Sequence, residues 1–283
     1  MIDTTFLDLL GKFDLIIRKR ITSNYSGARL STAHGRGVVI KDYRIYTPGD
    51  DFRAIDWKVF ARTDKLHIRK YEEERSLSVH IIIDASASMD YGSGKYSKYD
   101  YAAMLALGFG YISMRQNEKF QYAIFSDKLY HFRPERGMHQ VVGMADSLNK
   151  IKPQGTSKLG DALSQYTKYV KSKSYIVILS DFLLDVDEIK RSFPKFSDHE
   201  VVVVQVLDRK EMDLAIEGDL RLHDAETQGV LRTFITPRLR TSYQQKLKDH
   251  VLAIERECDA LGFKYHLIPT DKDIFDAFWE MLR

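Results

Sequence analysis

Val79-His80-Ile81-Ile82-Ile83-Asp84-Ala85-Ser86-Ala87-Ser88 is the stretch on which the reading of this chain turns. Its first five residues form an apolar, β-branched run of strand length, which reads as a buried strand. One carboxylate and two hydroxyls follow at a spacing of two, Asp84, Ser86 and Ser88, just past the strand's carboxyl end. In open α/β sheets that edge is where ligands bind. Hard oxygen donors turned toward one point suit Mg²⁺ or Mn²⁺. Taken alone, the same pattern also describes a helix N-cap followed by turn residues.

Downstream, strands alternate with helices. Ser97 and Asp100 open an Ala- and Leu-rich buried helix that runs to Arg115. Phe120–Phe125 reads as a strand with Leu129–Phe132 as its hairpin partner, and Met138–Leu148 and Leu159–Val170 as helices. Tyr175–Leu179 and Glu200–Leu207 are strands flanking a short helix over Val186–Phe193. Such alternation implies a mostly parallel sheet with helices on both faces. Leu220–His223 and Val230–Ile235 read as a β-hairpin, inserted near 212–236. Pro237 then opens a long helix ended by Gly262. Phe263–Ile268 is the last strand, and the last helix turns Ile274, Phe275, Phe278 and Trp279 toward the core.

Two further loops fall at the same sheet edge as Asp84. Thr156 sits in Gly155-Thr156-Ser157-Lys158, before a helix, and Asp181 ends the Tyr175–Leu179 strand. The set Asp84, Ser86, Ser88, Thr156 and Asp181 resembles the metal-ion-dependent adhesion site of the von Willebrand factor A domain. The resemblance implies a Rossmann-like α/β fold and a Mg²⁺ or Mn²⁺ ion held by those five residues. Mg²⁺ keeps near-octahedral oxygen ligation at ~2.0–2.1 Å and retains waters. The resemblance further implies an open coordination position for an acidic side chain of a protein partner.

Other chemistries fail on particular residues. A phosphatase of the D-x-D type lacks its second acid, because Ser86 stands there. Gly92-Ser93-Gly94-Lys95 hints at a phosphate-binding loop, but Met89 replaces its first glycine and Tyr96 its Mg²⁺-holding hydroxyl. The nine histidines show no zinc-like spacing.

The segment before the strand has its own character. Tyr46-Thr47-Pro48-Gly49-Asp50-Asp51-Phe52-Arg53-Ala54-Ile55-Asp56-Trp57 leads to Ala61-Arg62-Thr63, then to Leu66, Ile68-Arg69 and Glu72-Glu73-Glu74-Arg75. Pro48-Gly49 pre-sets a turn, the opposite charges lie close in sequence, and Trp57 reads as a large apolar anchor. One reading has this cluster clamping the segment onto the α/β domain; the other has its charged rim meeting a partner. The run resembles the hallmark of the bacterial family called domain of unknown function 58, as do Asp224-Ala225-Glu226-Thr227 and Pro269-Thr270-Asp271. That resemblance implies a MoxR-type AAA+ ATPase as partner, with this chain as adaptor.

The bulk properties agree with a soluble-type domain. The 283 residues are 44% hydrophobic and 29% charged, with a formal net charge of +3, so nucleic acid is not an expected partner. The single cysteine, Cys258, excludes an intrachain disulfide and fits a cytoplasmic location. No stretch approaches the ~18 apolar residues of a membrane span, and the N-terminus does not read as a secretory signal. Phe6, Leu9, Leu10, Phe13, Ile16 and Ile17 share one face of an expected helix, read as docked on the protein's core rather than on a membrane.

The expectation is therefore residues 1–76 as an amphipathic helix and charged segment, and 77–283 as a von Willebrand factor A-like domain. The expected function is non-enzymatic, metal-dependent protein interaction. The alternatives are a metal-dependent phosphohydrolase using Asp84 and Asp181, and a scaffold with a vestigial metal site.

Overall fold

The computed structural model describes residues 39–47, 52, 55–72, 78–214, 218–223, 225–226 and 229–282. The expected helix over residues 6–17 lies outside them. Two compact units meet in sequence at Ser76 and Leu77.

The first unit holds an antiparallel pair, β1 (Val39–Ile45) and β2 (His67–Glu72), with α1 (Trp57–Thr63) between them in sequence. Ile55 and Ile68 are bridged and buried. Asp56 caps α1, accepting from the amides of Lys58 at 3.0 Å and Val59 at 3.3 Å. Trp57 is not the expected buried anchor. As the first residue of α1 it is 59% exposed and meets Phe60 edge-on.

The second unit is the α/β domain. β3 (Ser78–Asp84) leads into α2 (Lys98–Arg115), β4 (Phe120–Phe125), β5 (Leu129–Glu135) and α3 (Met138–Lys150). Then come α4 (Leu159–Tyr166), β6 (Ser174–Ser180), α5 (Val186–Ser192), β7 (Glu200–Leu207) and the one-turn α6 (Arg209–Asp213). The hairpin β8 (Gly218–His223) and β9 (Val230–Ile235) precedes α7 (Pro237–Ala260), β10 (Lys264–Pro269) and α8 (Ile274–Met281).

Six strands form the central sheet in the order β10-β7-β6-β3-β4-β5. All neighbours are parallel except β5, which returns antiparallel on β4. The middle strands are buried on both faces, which explains why β3 and β7 read as continuous aliphatic runs rather than alternating ones. On one face, α2 packs with α3 and α8. Gly108 permits the closest approach, since a Cβ there would lie 2.2 Å from the Phe278 ring. On the other face, Leu163, Tyr166, Ile189, Phe193, Ile254 and Cys258 close over Ile82, Ile176 and Val203. Each such side chain contributes roughly 1.5–3 kcal/mol by leaving water.

In α8, Ala277, Phe278 and Met281 face the core, while Trp279 is 38% exposed, which corrects its expected inward position. The buried stripe runs through Ala277, Phe278 and Met281, with Ile274 and Phe275 only partly covered. No helix among the described residues is long and apolar enough to cross a membrane.

Candidate metal centre

Asp84 is the last residue of β3 and fully buried. Its Oδ1 accepts from the Ser86 amide at 2.9 Å. Its Oδ2 accepts from two hydroxyls, Ser180 at 2.7 Å and Ser157 at 2.8 Å. Among the described residues no Lys, Arg or His pairs with it. Burial, and then the negative charge of Asp181, push its carboxyl up to about 6, against the opposing pull of those three hydrogen bonds.

The first loop continues from this carboxylate. Ser86 is buried, and its hydroxyl lies 3.1 Å from that of Ser88. The loop is clamped to the second by two backbone hydrogen bonds, Ala87 N–H to Gly155 O and Gln154 N–H to Ala85 O, both at 2.9 Å. Gly155 has a φ of +80°, and a Cβ there would lie 2.3 Å from the Asp127 carboxylate. That carboxylate accepts from the Thr156 amide at 3.0 Å. Thr156 itself is exposed beside the loop. The hydroxyl that reaches Asp84 is that of the next residue, Ser157.

The third loop is built on strain. Phe182 is buried with φ +49°, a left-handed conformation that costs a non-glycine residue about 1–3 kcal/mol. The Ser180 hydroxyl accepts its amide at 3.0 Å, and the His250 ring meets its carbonyl at 2.8 Å. Gln205 donates to the Asp181 carbonyl at 2.7 Å. These contacts fix the direction of Asp181. Its Oδ1 accepts from Leu183 N–H at 3.3 Å, and its Oδ2 from Lys98 Nζ at 2.8 Å.

Lys98 is fully buried and also donates to Glu211 of α6 at 2.9 Å. Burial pulls its ammonium down, but the charges of Asp181 and Glu211 outweigh that and hold it above its ordinary value. Burial also raises Glu211, against the pull of Lys98. Near Glu211, Asp208 takes both the amide and the hydroxyl of Ser93, at 2.7 and 2.6 Å. The phosphate-loop-like stretch is therefore pinned by a carboxylate at its centre.

Among the described residues no group of three or more His, Cys, Asp or Glu side chains is arranged to hold a metal. A site here must draw on hydroxyls, as the Asp84 loop does. Asp84, Asp181 and Glu211 carry three carboxylates against the single ammonium of Lys98, a formal charge of −2 when all are ionised. A divalent cation would neutralise that charge, and the donor set of carboxylate and hydroxyl oxygens fits Mg²⁺ or Mn²⁺.

Sequence reasoning missed Ser157, Ser180, Lys98 and Glu211. Two signals were present. Ser180 ends a strand parallel to β3 in the register Ile83↔Leu179, which places it beside Asp84, and Ser157 adjoins Thr156. Lys98 carries no such signal, since a lysine in a first helical turn reads as solvated.

An uncharacterized protein of Mycobacterium tuberculosis strain H37Rv is 27% identical over 269 residues, covering 93% of this chain and 84% of its own length. Among solved structures, BatB from Bacteroides thetaiotaomicron shares 17% identity, with a TM-score of 0.47 over 73% of this chain and 97% of its own. An aerotolerance-related membrane protein from Bacteroides fragilis NCTC 9343 shares 19%, with a TM-score of 0.48 over 72% of this chain and 96% of its own. Both structural likenesses are weak, with TM-scores below 0.5. A family match spans residues 42–253, and on it the chain belongs to the family described as "Protein of unknown function DUF58".

Proposed function

We propose that this chain is a non-enzymatic, metal-dependent protein-interaction module of the von Willebrand factor A type. Asp84, Ser86, Ser88, Thr156 and Asp181 would hold Mg²⁺ or Mn²⁺. The bound cation supplies a Lewis-acid position that a carboxylate oxygen of a partner completes. The observation that carries this reading is the Asp84 carboxylate: fully buried, served by three neutral donors, and paired with no cation among the described residues. Desolvating a carboxylate without a counter-charge is costly, and a cation at the loop would remove that cost.

The surroundings favour an acidic partner. A cleft of about 450 Å³ opens at Ser157, and Lys158, Arg191 and Lys195 line it together with Asp161 and Glu188. Family resemblance adds a MoxR-type AAA+ ATPase as the partner system, a cytoplasmic setting and an adaptor role, with nucleotide hydrolysis belonging to the ATPase. A phosphohydrolase is less well supported, because a nucleophilic Asp84 would need access to phosphorus and its carboxylate is fully buried.

The test is a pull-down with the purified ATPase, with and without chelator, comparing wild type with Asp84→Asn. Capture that needs both metal and Asp84 supports the reading. Capture indifferent to both, or Mg²⁺-dependent turnover of a phosphate ester by the wild type alone, overturns it.

A further inference from the structure

Glu226 lies in the turn between β8 and β9, and its Oε2 accepts from the Ser157 amide at 3.3 Å. Ser157 also donates its hydroxyl to Asp84 Oδ2 at 2.8 Å. A single residue thus joins the buried carboxylate of the candidate site to an acid carried on a separate arm. The contact is long for a charge-assisted hydrogen bond, which usually falls near 2.7–2.9 Å.

Among the described residues β8 and β9 pair with no other strand, and an isolated two-stranded hairpin is marginal in water. Ile235 at its base is buried, whereas Val230 and Phe234 on the outgoing strand are 58% and 62% exposed. Its turn reaches the metal loop through Glu226, the chemical class of side chain that the open coordination position would accept.

We infer that Glu226 is the chain's own acidic ligand for this site. With a divalent cation in place its carboxylate transfers from the Ser157 amide to the cation, and a partner's acid must displace it. This rests on the metal-site reading above. An internal ligand competes at an effective concentration on the order of millimolar, so a lone acidic side chain is a poor competitor. A partner that also grips the exposed Val230 and Phe234 would draw the arm away and open the site. If Glu226 holds the position nine-tenths of the time, the apparent affinity for an external carboxylate falls about tenfold.

The full chain is compared with Glu226→Gln and Asp84→Asn. Three readouts are used: Mn²⁺ binding by electron paramagnetic resonance, hydrogen exchange at residues 224–229 with and without Mg²⁺, and binding of acetyl-glutamate amide to the Mn²⁺-loaded protein. Wild type and Glu226→Gln should bind Mn²⁺, and Asp84→Asn should not. Mg²⁺ should slow exchange at the hairpin tip in the wild type only, and the glutamate amide should bind about tenfold more tightly to Glu226→Gln. Mn²⁺ binding with unchanged tip exchange would overturn the internal ligand and leave the metal site standing. No Mn²⁺ binding by the wild type, or equal binding by Asp84→Asn, would overturn both.

Discussion

Lys98 Nζ stands 2.8 Å from Asp181 Oδ2, and the two side chains are 0% and 3% exposed. The pair ties the first turn of α2 to the end of β6, and Glu211 extends it to α6. Removing one partner of such a buried pair leaves the other charge uncompensated, at a cost of about 3–5 kcal/mol. Lys98→Met should therefore lower the unfolding free energy by that amount in urea titrations. A loss under about 1 kcal/mol would show that water or another cation replaces the ammonium.

Metal binding should appear as stabilisation. At a Mg²⁺ concentration 100-fold above its dissociation constant, the native state gains about 2.7 kcal/mol, which for a domain of this size raises Tm by roughly 5–10 °C. The shift is expected in the wild type and absent in Asp84→Asn. Equal shifts in calorimetry would remove Asp84 from the site.

Acid should weaken the fold partly through His80. The ring is buried, Gln121 Nε2 lies 2.8 Å from its Nδ1, and burial, with His199 and His131 adding to it, lowers it to about 3. The unfolded chain takes up this proton first, near pH 6.5. The stability gained from the neutral ring is complete above that pH and is lost as pH falls toward 3. At pH 5 the loss approaches about 2 kcal/mol. His80→Gln should lose less stability than wild type between pH 7 and pH 5, and identical slopes would contradict the assignment.

Gly155→Ala combines a left-handed φ with a Cβ driven against Asp127. The second loop must shift, and a fall in Mn²⁺ affinity of about tenfold or more is expected alongside a modest Tm decrease. Unchanged affinity would mean that the loop's position does not matter to the cation.

Trp57→Ala should change stability by less than about 1 kcal/mol, because the ring is largely solvent-exposed. Denaturant titration showing several kcal/mol would place the ring against a surface that removes it from water.

Sequence carried the sheet well because its strands are doubly buried. Val79–Ile83 and Val201–Val204 have no amphipathic ambiguity to resolve, and Pro237 and Gly262 mark the ends of α7 chemically. The first loop was legible because Asp84, Ser86 and Ser88 are local. Residues that depend on tertiary register were harder to see. Ser180 and Ser157 meet Asp84 only once β6 and the second loop are in place, and Lys98 is buried only because Asp181 and Glu211 converge on it. Trp57 and Trp279 show the opposite failure, since a large ring is a weak guide to which way a helix turns.

Cys258, buried in α7 with its thiol pushed up to about 12, has a practical consequence. The thiolate is what reacts with maleimides, and this one is neither formed nor reachable near neutral pH. A single cysteine placed on the arm, Gly229→Cys, could carry a fluorophore without any change to the native sulfur. The labelled protein would then report in real time whether the hairpin leaves the metal loop.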